Sequence, residues 1–256
     1  HGLPFDSEGM KERYPGVFFS QFTGAELVAD KWNLSREDLD KFALESHQKA
    51  THATESKYFD REILPVEGRN AEGMNDLVMA DEGIRFDASL DKLAGLNPVT
   101  EGGVITAGNA SQITDGAAAV MICNDAGLKK IQSNPRAEIV SISVVGDDPV
   151  FMLTGPIPAS IQALKTANLT IDDIDLYEVN EAFAPVPLAW ASELKADRSK
   201  LNVNGGAMAL GHPLGATGAK LMTTLLYEME RRESTYGLQA ICEGGGTANA
   251  TIIKRL

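Results

Sequence analysis

Three polar residues of this chain stand where an apolar stretch gives way to a turn. Asn180 follows Leu176-Tyr177-Glu178-Val179, His212 sits in a turn from Asn202 to Gly218 that holds five glycines, and Cys242 precedes Glu243-Gly244-Gly245-Gly246. An imidazole and a thiol at one site suit proton transfer or nucleophilic chemistry. The backbone N–H groups of a glycine run can lower the pKa of a neighbouring thiol and can donate to an oxyanion as it forms. Each residue also has an architectural reading: Asn180 as the N-cap of a helix, His212 as a loop histidine, Cys242 as a buried strand residue before a tight turn. Spacing alone leaves these alternatives open. Ligands of open α/β sheets bind at strand ends, which is where Asn180 and Cys242 fall, with His212 in its glycine turn.

The elements that must position them can be read from periodicity. Pro213 disfavours the helical region for His212 and holds its backbone extended. Behind it, Met222, Leu225, Leu226 and Met229 fall at i, i+3, i+4 and i+7, which predicts a helix, with Arg231 and Arg232 suiting its negative end. Ala137 to Val145 and Ile174 to Val179 read as strands, with a helix opening near Pro156 and running through Ala167 between them. Leu238 to Cys242 and Ala248 to Lys254 read as two closing strands. From Gly103 onward the pattern is α/β, a mixed sheet flanked by helices.

Upstream, Phe22 to Trp32 reads as a helix with Ala25, Val28, Ala29 and Trp32 on its apolar side. Ser35-Arg36-Glu37-Asp38 is a capping-box pattern opening a second helix to about Ser56, with Leu39, Phe42, Ala43 and Ser46 as its buried stripe. His47 and His52 lie off a common face of that helix and read as ordinary surface or flank residues. The first fifteen residues are polar and loop-like, and Glu62 to Thr100 has no sustained period, so that Arg85 reads in isolation as a solvated charge. Val104-Ile105 is strand-like. Gly116 to Cys123 predicts a buried strand ending in a packed, inert thiol, with a helix from about Ala126 to Gln132 after it.

At 256 residues and 43% hydrophobic, the chain can hold one large or two modest domains. A formal charge of −13 argues against nucleic acid or an anionic membrane surface as partner. No apolar run is long enough to span a bilayer and no signal peptide opens the chain, which predicts a soluble, cytoplasmic protein. Two distant cysteines indicate neither a disulfide framework nor a zinc ribbon, and the four histidines show no ligand spacing, so no metal is expected.

Asn180-Glu181-Ala182-Phe183, the Gly205 to Gly218 turn with Gly211-His212-Pro213, and Cys242-Glu243-Gly244-Gly245-Gly246 resemble three signature blocks of the thiolases, the acyl-CoA:acetyl-CoA C-acyltransferases. Met152 to Ala159 and Ala107-Gly108-Asn109-Ala110-Ser111 resemble further blocks of that family, so the likeness covers most of the chain. It implies a thiolase-like layered α/β fold, with a mixed five-stranded sheet in the C-terminal half and a loop-rich, mainly helical domain. The implied division is a loop domain covering the coenzyme A site at 1–102, the last strand and helix of the N-terminal half at 103–134, and the C-terminal half at 135–256.

The resemblance also implies an activity: reversible Claisen condensation and thiolytic cleavage of a 3-ketoacyl-CoA by a ping-pong mechanism. Coenzyme A thioesters would be substrates, no cofactor would be tightly bound, and the protein would be a homo-oligomer, dimer or tetramer. Asn180 would hold a water that joins His212 in donating to the thioester oxygen, Cys242 would be the acid/base at the α-carbon, and the Gly244 N–H would serve a second oxyanion hole. Arg85 would lie at the nucleotide end of coenzyme A and Ser111 at its pantetheine, with Ala107, Ala182 and Phe183 also in the substrate site. Asn97 stands where family members often carry arginine. The family's acylated cysteine lies upstream of the loop domain, and neither Cys123 nor Cys242 matches it. The chain is therefore expected to be a C-terminal portion, inactive without a nucleophile-bearing N-terminal half. A non-catalytic acyl-CoA-binding protein is the second reading.

Overall fold

The computed structural model describes residues 4–69 and 73–256. Side-chain caps start its first helices. In α1 (Glu8–Arg13) Ser7 accepts from the Met10 N–H, so a helix stands in the opening stretch expected to be loop. In α2 (Gln21–Lys31) Ser20 accepts from Phe22, and Ala25, Val28 and Ala29 are buried. The capping box of α3 (Arg36–Glu55) forms as expected: Ser35 N–H donates to Asp38 Oδ2 at 2.9 Å and Asp38 N–H to Ser35 Oγ at 3.2 Å. Two reciprocal bonds satisfy donors that a helix start otherwise leaves unpaired.

The loop-rich stretch carries more structure than its sequence shows. β1 (Val66–Arg69) and β2 (Asn75–Val78) pair antiparallel, Val66 opposite Val78, and α4 (Leu90–Ala94) follows, capped by Ser89. Asn109, fully buried, then ties its own stretch to α3: its Oδ1 accepts from Thr106 N–H, and its Nδ2 donates to Asp40 Oδ1 and to Val104 O.

The buried strand expected at Gly116 to Cys123 does not form. Residues 111–124 have no regular structure, residues 116–124 are exposed, and Cys123 is an exposed thiol. A strand needs a ladder partner and a surface to bury its side chains against. Among the described residues neither meets this run, and Met121 and Ile122 are left 77% and 72% exposed. The helix after it, α5 (Asp125–Ile131), is present, capped by Asn124.

The remainder builds one sheet, from β3 (Ala137–Gly146), α6 (Pro156–Ala167), β4 (Leu176–Val179), α7 (Pro185–Leu194), α8 (Ala207–Leu210), α9 (Thr217–Arg231), β5 (Tyr236–Cys242) and β6 (Thr247–Arg255). Strand order is β3-β6-β5-β4, with β4 parallel to β5 and the other pairs antiparallel. Alternation sends Tyr177 and Val179 to one face, in the main core with α6 and α7, and Leu176 to the other, against Leu225 and Met229 of α9. On α6, small residues admit close approach: Ser143 Oγ donates to Ala159 O and Ser141 Oγ to Ala163 O. Trp190 of α7, 0% exposed, donates to Ser160 Oγ at 2.8 Å.

Among the described residues the sheet has four strands rather than the expected five. The fifth place, outside β4, is taken by a short run joined through one parallel bridge, Tyr177 to Leu201. Asn202 replaces the rest of the ladder: its N–H donates to Tyr177 O, its Oδ1 accepts from Val179 N–H and its Nδ2 donates to Val179 O, each at 2.9 Å. A side-chain amide carries the donor and acceptor pair of a peptide group, so the edge of β4 is satisfied without a strand.

Candidate active site

Parallel pairing sets the frame. Val179 lies opposite Ala240, and the Asn180 N–H donates to Ala240 O at 3.0 Å, so Asn180 and Cys242 leave the ends of adjacent strands. Asn180 is no helix cap, since α7 starts after Ala184. His212 arrives between α8 and α9, its N–H bound to Gln112 O at 3.0 Å. Gly211 before it has φ +83°, and a Cβ there would lie 2.4 Å from Thr114 Oγ1. Only glycine fits that approach.

The imidazole is oriented on both sides. Nδ1 lies 2.6 Å from Thr217 Oγ1, whose own proton points to Pro213 O at 3.0 Å. With its hydroxyl proton so directed, Thr217 accepts from Nδ1–H, and Nε2 carries the lone pair. Nε2 faces Asn180 Nδ2 at 3.4 Å. Burial holds the imidazole below its usual pKa, so at neutral pH it is uncharged. Asn180 is 1% exposed and its Oδ1 has no hydrogen-bond partner among the described residues. The site therefore offers a base at Nε2 and an open amide acceptor beside it.

Glycine N–H groups can lower a neighbouring thiol's pKa, whereas at Cys242 burial, with Glu243 adding to it, pushes the thiol up to about 12. Desolvation outweighs the backbone bond that favours thiolate. Cys242 is thus a proton donor at rest. Gly244 follows in an exposed turn, Gly245 and Gly246 taking positive φ.

The expected coenzyme A residues fall into two groups. Arg85 and Ala107 line one cleft of about 280 Å³ with His47, Lys92, Gln112 and Met208. Ser111, Ala182 and Phe183 instead form a joint: Ser111 N–H donates to Ala182 O, Ala110 bridges Phe183, and Ala184 N–H donates to Asn109 O. Ala182 and Phe183 are buried, Phe183 stacking edge-on against Phe22 at 5.5 Å. The joint fixes the strand end that carries Asn180, and Gln112 links it to His212.

Residues 133–255 match the family model described as thiolase, C-terminal domain, and residues 8–126 match that for the N-terminal domain. The chain belongs to the thiolase family. This thiolase chain is 54% identical over 251 residues to the steroid 3-ketoacyl-CoA thiolase FadA6 of Mycobacterium tuberculosis, covering 98% of itself and 60% of the relative. Among solved structures it superposes on the Bacillus anthracis acetyl-CoA acetyltransferase with TM-score 0.89 and 39% identity, over 94% of this chain and 61% of that one. On human mitochondrial 3-ketoacyl-CoA thiolase in complex with CoA the TM-score is 0.84 at 43% identity, over 91% and 58%. The chain spans about three fifths of the length of these relatives. The match at 8–126 also revises the expectation that only 103–134 belongs to the N-terminal half: most of the region expected to be a separate loop domain falls within the N-terminal domain's own model.

Two buried polar residues that hold the surrounding segments together were missed from sequence. Glu181, buried, accepts from Ser46 Oγ at 2.7 Å, Asn202 Nδ2 at 2.9 Å and Met208 N–H at 3.1 Å. It ties α3, the end of β4 and the turn at 202–208 together beside Asn180, and a Cβ on Gly206 would fall 2.2 Å from its carboxyl carbon. Its signal was a charge embedded in an apolar strand end. His47, read as a flank residue, is 5% exposed and accepts from the Arg85 N–H. It lies four residues after Ala43 on the buried stripe of α3, which the helical period could have shown. With His52 it lines a second cleft that also includes Arg85.

Proposed function

We propose that this chain carries the coenzyme A-binding and proton-transfer machinery of a thiolase acting on 3-ketoacyl-CoA, and that the acylated cysteine is supplied from outside these 256 residues. The observation that carries the reading is the Asn180–His212 pair at 3.4 Å, at the strand end beside Cys242. The neutral Nε2 takes the proton of an incoming thiol nucleophile and, once protonated, donates to the thioester oxygen. Asn180 Oδ1 accepts from the water that supplies the second donor. Such oxyanion donors are worth about 3 kcal/mol of barrier each. Cys242, protonated at rest, delivers its proton to the α-carbon of the enolate left by C–C cleavage, and takes it back in condensation. The Gly244 N–H supports the second oxyanion hole.

Arg85 holds the nucleotide end along the cleft that Ala107 also lines, while Ser111, assigned to the pantetheine, stands with Ala182 and Phe183 in the joint that fixes the Asn180 strand end. We assign 1–102 to the cover of the coenzyme A site, 103–134 to the last part of the N-terminal half and 135–256 to the C-terminal half, and expect a homo-oligomer. Among the described residues no helix is long and apolar enough to cross a membrane.

The test is a chimera joining this chain to the part of the M. tuberculosis relative outside the matched 60%. The chain alone binds coenzyme A without cleaving acetoacetyl-CoA, the chimera cleaves it, and His212→Ala or Cys242→Ala in the chimera abolishes cleavage while binding persists. A folded chimera that binds coenzyme A and never turns over supports the non-catalytic reading instead. Full activity in either variant refutes the assigned roles.

A further inference from the structure

His47 belongs to the buried face of α3, yet it borders both clefts that include Arg85. Its Nδ1 accepts from the Arg85 backbone N–H at 3.1 Å, joining residues 38 positions apart. Arg85 lies between β2 and α4 in a stretch without regular structure, and its neighbour Phe86 is 63% exposed. The segment is held elsewhere by Gln112 Nε2, which donates to Gly83 O at 2.7 Å. The helix behind His47 is fixed: Ser46 donates to Glu181 and accepts from the Gly206 N–H at 3.0 Å. Neighbouring residues of α3 thus hold both ends: Ser46 bonds Glu181, next to Asn180, and His47 bonds the backbone of Arg85.

We propose that His47 is a positioning residue that sets Arg85 for the anionic, nucleotide end of coenzyme A, and that protonation of its imidazole loosens this grip. The inference rests on the reading of the Arg85 cleft as the coenzyme A site. An imidazole nitrogen accepts a hydrogen bond only while it holds its lone pair; the imidazolium has donors on both sides, and the Arg85 N–H then loses its acceptor. Burial first, and the Arg85 charge second, hold His47 below its usual pKa, so the contact is complete at neutral pH and fails as pH falls through the folded value. The charged and titratable groups facing the two clefts are Arg85, Asp87 and Lys92 from the loop and α4, and His52 and Glu55 from α3.

The test compares the full chain with His47→Asn and His47→Leu. Asparagine places Oδ1 where Nδ1 stood and does not titrate; leucine removes the acceptor. Two quantities are read over a series from about pH 7.5 down to about pH 4, well below an ordinary histidine pKa because His47 is held beneath it: the hydrogen-exchange protection factor of the Arg85 amide, which needs no ligand, and the dissociation constant of coenzyme A by calorimetry. The ligand's phosphomonoester titrates in the same range, so affinities are compared as differences between variants. His47→Leu lowers Arg85 protection and weakens coenzyme A binding about five- to tenfold at the higher pH, the loss of one hydrogen bond. His47→Asn restores both and abolishes the part of the acid-induced loss that distinguishes it from the wild type. Should His47→Leu fail to fold, that last comparison decides. Binding by His47→Asn as weak as by His47→Leu, or identical pH profiles in His47→Asn and wild type, overturns the proposal. If Arg85 protection responds as stated and no variant binds coenzyme A, the failure is that of the coenzyme A reading, and the nucleotide grip falls with it.

Discussion

Glu62→Gln separates buried-charge energetics from every other contribution to stability. Glu62 accepts from Thr224 Oγ1 of α9 at 3.0 Å through Oε1, and its Oε2 is buried with no partner among the described residues. Burial is the largest cause of a shift that lifts its pKa from 4.5 to about 7, with Asp81 and Glu228 raising it further. The folded chain therefore holds a proton on Glu62 at pH values where the unfolded chain has released it, and stability falls as pH rises from about 4.5 to about 7. At about 1.4 kcal/mol per tenfold change in proton affinity, that interval amounts to about 3 kcal/mol. Glutamine keeps the Thr224 acceptor and cannot ionise. Urea unfolding of both proteins across this range should show the variant gaining on the wild type by about 3 kcal/mol from the acid to the alkaline end. Any constant offset from placing an amide at the site cancels in that comparison. Parallel curves would refute the reasoning, because they would mean that Glu62 meets water or a cation in the fold.

Thiol labelling should distinguish the cysteines: exposed Cys123 reacts with iodoacetamide, while Cys242, buried with its pKa at about 12, stays protected until the chain unfolds. Comparable labelling of both by intact mass would contradict the burial of Cys242. Asn202→Ala strips the amide that completes the edge of β4 and should cost about 2–5 kcal/mol, from two backbone groups of Val179 left unpaired; chemical denaturation measures it, and a loss below about 1 kcal/mol would show that another group replaces the amide. Thr217→Val removes the acceptor of His212 Nδ1–H. Nitrogen chemical shifts should then show a mixture of tautomers where the wild type shows one, and an unchanged spectrum would place the orienting bond elsewhere.

Local signals were legible where local physics decides the outcome. The Ser35–Asp38 box, the apolar stripe of α9 and the four strands from Ala137 to Lys254 could be read because caps and periodicity act over a few residues. Gly116 to Cys123 has the composition of a buried strand, but burial depends on a partner in space, and none meets it among the described residues. The β1–β2 pair was missed because its four-residue strands are mostly exposed and carry no alternation. At the site, residue types announced an amide, an imidazole and a thiol. What sequence could not show was how Thr217 orients the imidazole, or that desolvation raises the Cys242 pKa against its own backbone hydrogen bond, since both follow from three-dimensional packing.

The most direct test is a crystal structure with acetyl-CoA bound to the chimera. The account predicts the thioester oxygen within hydrogen-bonding distance of His212 Nε2, the acetyl methyl facing Cys242 Sγ, and the nucleotide along Arg85. A thioester seated away from His212, or a methyl group that Cys242 cannot reach, would contradict it.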